Sequence, residues 1–190
     1  MARAARPQAE SGKPERMWAM VKGKWAQGIV PRNFTWVIKD RLAVSERPGG
    51  YGASHRRVRR QEEIIWIRHQ GFTSIVSLLA SPHNLHAYEE LEVAYQHLPF
   101  GMRDEPRTVL ANLYPEMRAQ LAGGAKLLVH QDEVGDRLHG TVAGYLVYAG
   151  LVPEMTRAIA MSEQLLSRQL GPAGRELVAL AGVLAAEASA

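Results

Sequence analysis

Two short apolar runs set the tightest limit on how this 190-residue chain can fold. Residues 72–79 read FTSIVSLL and residues 126–130 read KLLVH, with no regular polar–apolar alternation in either. An apolar run of this length suits a strand buried on both faces, the usual situation in a parallel sheet. Parallel strands need helical crossovers to connect and cover them. The remaining sequence supplies such helices. Residues 54–69 predict one, with Ser54 as its cap and Gly71 just past its end. Residues 108–121, 137–149, 153–168 and 172–188 predict four more, the first shortened or kinked by Pro115. Further strands are expected at 33–38, 41–46 and 92–98. The expected architecture is therefore α/β, with a central, mainly parallel sheet of four or five strands flanked by helices. The domain is expected to span residues 31–190, after a flexible basic arm over 1–30. The first 16 residues of that arm have almost nothing apolar to bury. Further along it, Met17, Met20, Val21 and Trp25 fall near helical spacing.

Apolar residues make up 46% of the chain and charged residues 22%, the balance of an ordinary globular protein. No apolar run approaches the roughly 18 residues of a membrane helix, and the N-terminus lacks the pattern of a secretory signal. A cytoplasmic location is expected. The net charge of +4 is unevenly placed: residues 1–60 carry 14 Lys and Arg against 4 Asp and Glu, whereas residues 61–190 carry 9 against 15. The densest basic cluster is Arg56, Arg57, Arg59 and Arg60. It reads either as a face for an acidic or phosphorylated protein, a nucleic acid or an anionic surface, or as a solvated helix start paired with Glu62 and Glu63. The chain has no cysteine. Disulfides, thiolate metal sites and thiol nucleophiles are all excluded.

Residues 126–150, KLLVHQDEVGDRLHGTVAGYLVYAG, carry the most chemistry. A buried strand runs into a tight loop, and the loop opens a helix. Such a junction aims backbone N–H groups at one point, with the positive end of a helix dipole behind them, and forms an anion cradle. Arg137 stands where it can clamp that anion, or be held by Asp132, Glu133 or Asp136 as a structural ion pair. His130 is expected to support the loop from a buried position. His130, Asp132, Glu133, Asp136 and His139 match no standard metal-ligand spacing, and no cofactor is implied. Gly140, Ala143 and Gly144 predict a helix packed closely against a neighbour.

Here the sequence resembles the cysteine-dependent protein tyrosine and dual-specificity phosphatases, in particular small atypical dual-specificity members. Their signature is His-Cys, five loop residues, then Arg followed by Ser or Thr. This chain has His130, Gln131, the five residues DEVGD, Arg137 and Leu138. Residues 33–37 (NFTWV) before 41–43 (RLA), residues 71–78 (GFTSIVSL) and residues 143–147 (AGYLV) extend the resemblance over roughly 31–180. It implies a phosphatase-type fold, with Gln131 in the place of the nucleophilic cysteine and Leu138 in the place of a hydroxyl that assists release of the phosphoenzyme. It further implies that Val134 replaces a loop glycine and that Asp104 is the nearest remnant of the general acid. The anion-binding residues it implies are His130, Gln131, Asp132, Glu133, Val134, Gly135, Asp136 and Arg137.

The resulting expectation is a catalytically inactive phosphatase-like module that binds a protein partner, acidic or phosphorylated. Two other readings stay open at this stage. One is a hydrolase that works through Asp132 or Asp104 without cysteine. The other is a nucleic-acid or anionic-surface binder using Arg56 to Arg60.

Overall fold

The computed structural model of the chain describes residues 28–51 and 56–189. The expectations placed on residues 1–27 and on Ser54 lie outside the described residues. Among the described residues, five strands and six helices follow in the order β1 (Thr35–Ile38), β2 (Leu42–Glu46), α1 (Arg57–His69), β3 (Ser74–Ser77), α2 (His86–Glu90), β4 (Tyr95–His97), α3 (Pro106–Ala122), β5 (Leu127–Gln131), α4 (Asp136–Tyr148), α5 (Met155–Leu166) and α6 (Pro172–Glu187). The strands form one sheet in the order β1-β2-β5-β3-β4. The β1–β2 hairpin is antiparallel, and the β2–β5, β5–β3 and β3–β4 pairings are all parallel. The mixed α/β fold with a mainly parallel sheet is therefore as expected. Helix α2 has no counterpart among the elements expected from the sequence, and α3 runs through Pro115 without ending.

Alternation along the strands divides the core into two layers. Leu42, Val44, Val76, Leu78, Leu127 and Val129 face α3, α4 and α6. Ala43, Ile75 and Leu128 face α1 and α2 on the opposite side. Trp36 stacks on Phe72 there, with ring centroids 5.3 Å apart, and Lys126 lies over both rings. Helix α4 is buried from Leu138 through Tyr148, as befits a helix wrapped by a sheet and other helices. Its glycines make this arrangement fit. Gly140 meets the backbone of Gly174 in α6, and Gly144 meets Ala181 and the Tyr114 hydroxyl.

Candidate functional site

Strand β5 lies at the centre of the sheet, and its last residue, Gln131, pairs with Glu46 of β2. The chain then turns through residues 132–135 and enters α4 at Asp136. The junction thus sits at the carboxyl ends of the parallel strands, where open α/β sheets place ligands. No residue from 132 to 135 takes a positive φ. Val134, in the place of a loop glycine, therefore takes no left-handed conformation, and it packs against the main core.

The side chains of the junction are closed on one another. Gln131 Nε2 donates to the carbonyl oxygen of Phe100 at 2.8 Å. Phe100 follows β4 and is fully buried. The Arg137 guanidinium lies over the Phe100 ring, 4.6 Å from its centroid. One aromatic residue therefore engages both ends of the loop.

Asp132, Glu133 and Asp136 each turn away from Arg137. Asp132 Oδ1 accepts from Arg47 at 2.8 Å, and Glu133 Oε1 accepts from the Tyr51 hydroxyl at 2.9 Å. Asp136 Oδ1 accepts from the Gly171 N–H at 2.6 Å, and its Oδ2 from the Gly174 N–H at 2.7 Å. The structural ion pair considered for Arg137 is thus corrected: the loop carboxylates serve the segment after β2 and the start of α6. Asp136 is likewise misplaced as an anion ligand. Its charge caps α6, whose own N-cap is Gly171 and whose first residue, Pro172, has no N–H. Asp136→Ala is expected to lower stability by about 1.5 kcal/mol, and Asp136→Asn by less. Chemical denaturation of the three proteins checks this.

Asp104 Oδ2 accepts from the Gly101 N–H at 2.6 Å and shapes the turn ahead of α3. Glu105 caps that helix through the N–H groups of Arg107 and Thr108, at 2.9 and 2.5 Å. Behind the junction, His130 is fully buried, with Nε2 3.0 Å from the Tyr88 hydroxyl. Burial, followed by the charge of Arg47, pushes its pKa down to about 3, so the ring is neutral at physiological pH. Among the described residues no three His, Cys, Asp or Glu side chains gather as a metal site, and no helix is long and apolar enough to cross a membrane.

His139, also buried, follows the same logic. The Ser162 hydroxyl donates to Ile159 O, so its oxygen accepts from His139 Nε2 at 3.0 Å. Nδ1 is left as a buried lone pair without a partner. Burial lowers the His139 pKa. Both histidines therefore take up protons more readily in the unfolded chain. Their contribution is neutral above pH ~6.5 and increasingly destabilising below it, down to the folded-state pKa values. Unfolding free energy is expected to fall by about 2 kcal/mol between pH 6.5 and 5, read by urea titration at each pH. Replacing either histidine by Gln should flatten that slope.

The basic cluster does not form one face. Arg56 and Arg57 are exposed, but Arg59 pairs with the buried Glu63 at 2.7 Å and Arg60 is itself buried. Helix α1 turns Arg60, Glu63, Ile64 and Ile67 inward at helical spacing. Of the two readings, the helix start paired with a following glutamate is seen at Arg59–Glu63, and the four-arginine surface is reduced to two exposed arginines. Glu63 also accepts from the Gly49 N–H at 2.7 Å, tying the turn after β2 to α1. Arg47, Tyr51, Tyr88 and Phe100 were not anticipated at the site. Each reaches the junction from a segment distant in the sequence, which no local pattern marks.

No protein-family model matches the chain, and no curated protein matches it. Solved structures do. The kinase associated phosphatase carrying serine in place of its catalytic cysteine superposes with a TM-score of 0.68 at 19% identity, covering 83% of this chain and 98% of that one. Tk-PTP in its active form gives 0.63 at 17% identity, covering 80% and 97%. Human DUSP28 gives 0.61 at 15% identity, covering 86% and 99%. The fold is phosphatase-type. It is shared with dual-specificity and tyrosine phosphatases, and identities this low speak to the fold alone.

Proposed function

We propose that this chain is a catalytically silent phosphatase-type domain that serves as a binding module for an acidic or phosphorylated protein. One observation carries the reading: Gln131 stands where the resemblance puts the nucleophilic cysteine, and its amide is committed to Phe100 O. A phosphocysteine route needs a thiolate to attack phosphorus while the ester oxygen leaves, and a neutral carboxamide does not supply that nucleophile. The chain contains no cysteine to substitute for it. The alternative hydrolase is disfavoured by the same geometry. Asp132 is paired with Arg47, and Asp104 holds the Gly101 turn.

In this reading a phosphorylated partner presents its anion to the start of α4, beside Arg137. The exposed Arg56 and Arg57 add a basic border suited to an acidic partner. The test is turnover of an aryl phosphate and of phosphopeptides from pH 5 to 8. The expected result is no rate above background. A repurified preparation with turnover that is lost in Arg137→Ala would remove the silent reading.

A further inference from the structure

On the α1 and α2 side of the sheet, a narrow cleft runs in between the turn ahead of α2 and the end of β5. Asn84 lines it from the turn and His130 from the strand, among walls that are mostly apolar. Its interior admits a molecule the size of water and nothing larger. The Asn84 amide nitrogen and His130 Nδ1 are both buried, and neither meets a hydrogen-bond partner among the described residues.

The two atoms have opposite needs. An amide nitrogen only donates. His130 is neutral, so one of its ring nitrogens carries a proton and the other a lone pair. Nε2 lies 3.0 Å from the Tyr88 hydroxyl, whose oxygen is able to accept from it. That arrangement leaves the lone pair on Nδ1. A buried donor and a buried lone pair on one small space match the two sides of a water molecule, whose oxygen accepts and whose hydrogens donate. The guanidinium groups of Arg47 and Arg60, which also line the cleft, are donors without lone pairs. They direct the hydrogens of a water toward the imidazole.

We infer that one ordered water is held in this cleft, accepting from the Asn84 amide and donating to His130 Nδ1, and that it fixes His130 as the Nε2–H tautomer. The water ties the turn ahead of α2 to β5, one residue before Gln131. Asn84 suits that post. Its φ of +67° is a left-handed conformation that asparagine adopts more readily than most residues, and its carbonyl oxygen accepts from the Ala87 N–H at 3.2 Å to lead into α2. The site does not depend on whether the domain is catalytically silent.

Two measurements on the full, unaltered chain test this. A crystal structure at atomic resolution should show a water within ~3.2 Å of both atoms. Two-bond proton–nitrogen correlations of the imidazole at neutral pH should show His130 protonated at Nε2, with the Nδ1 resonance moved upfield from that of a free lone pair by its hydrogen bond. Asn84→Gly keeps the left-handed backbone accessible and removes the donor. In that variant the Nδ1 resonance should shift back toward the free position. The first two measurements need no variant, so they decide the matter even where Asn84→Gly fails to fold. Empty density beside either atom, or a His130 protonated at Nδ1, would overturn the inference, as would an unmoved Nδ1 resonance in a folded Asn84→Gly.

Discussion

Gly140→Ala is expected to lower stability by about 3 kcal/mol or more, shifting Tm down by roughly 10 °C. A Cβ at this position would lie 2.5 Å from Gly174 Cα and 2.6 Å from Gly174 O. Both obstacles are backbone, so no side-chain rotation relieves the clash. Helices α4 and α6 must separate, and α4 is buried along nearly its whole length. Separation would loosen the packing of Leu177, Ala181 and Leu184 against the main core. Gly135→Ala is the control. Gly135 has φ −90°, and a methyl group added to its Cα would meet nothing within 4 Å, so its replacement should change Tm by little. Thermal unfolding of the two variants side by side decides the matter. Equal Tm values would mean that the helices do not meet through these glycines.

Gln131→Cys is expected to fold and to remain inactive, with turnover well below the ~1 per second typical of enzymes. The carboxylates of the loop are not the chief reason, because Asp132, Glu133 and Asp136 are each bound elsewhere. The obstacles are the other occupants of the site. Arg137, the phosphate clamp of the resemblance, is stacked on Phe100, and His130 is held neutral by burial. A new thiol would have the α4 N-terminus to lower its pKa but no charged imidazole beside it. The hydroxyl that the resemblance places after the arginine is not easily restored either. Leu138 is fully buried in the main core, and Leu138→Ser should cost about 3 kcal/mol. A burst assay on Gln131→Cys, alone and with Leu138→Ser, separates these effects. Enzyme-like turnover by the single variant would show that Phe100 and Arg137 yield readily to substrate.

The sheet was legible because its strands are short apolar runs whose neighbours carry helical periodicity. Ile75 and Leu128 fall on one side, and Val76 and Val129 on the other, as a period of two requires. Gly140 and Gly144 announced a close helix contact, and the structure supplies it with Gly174, Ala181 and Tyr114. Helix α2 was missed because five residues hold too little periodicity to register. The location of the loop junction was readable, whereas the directions of its side chains were not. Asp132 meets Arg47 across 85 residues, and Gln131 meets Phe100 across 31. Nothing local in DEVGD shows that its acids point away from Arg137. The basic run showed its pairing with the following glutamates but not its directions, for a related reason: adjacent arginines on a helix point in different directions, and Arg60 points inward.

The contact of Asp136 with α6 binds the histories of two distant stretches of chain together. Helix α6 begins at a glycine with no capping side chain and borrows a carboxylate from the start of α4. A serine or aspartate at position 171 would be the ordinary local remedy. That remedy and the present one crowd each other, because a Cβ at 171 would lie 3.0 Å from an Asp136 carboxylate oxygen, which would have to give way by a few tenths of an ångström. Related chains should therefore pair an acid at 136 with glycine at 171, or a self-capping residue at 171 with a smaller one at 136. Drift in the residue that precedes Arg137 is thereby answerable to the C-terminal helix as well as to whatever the loop binds.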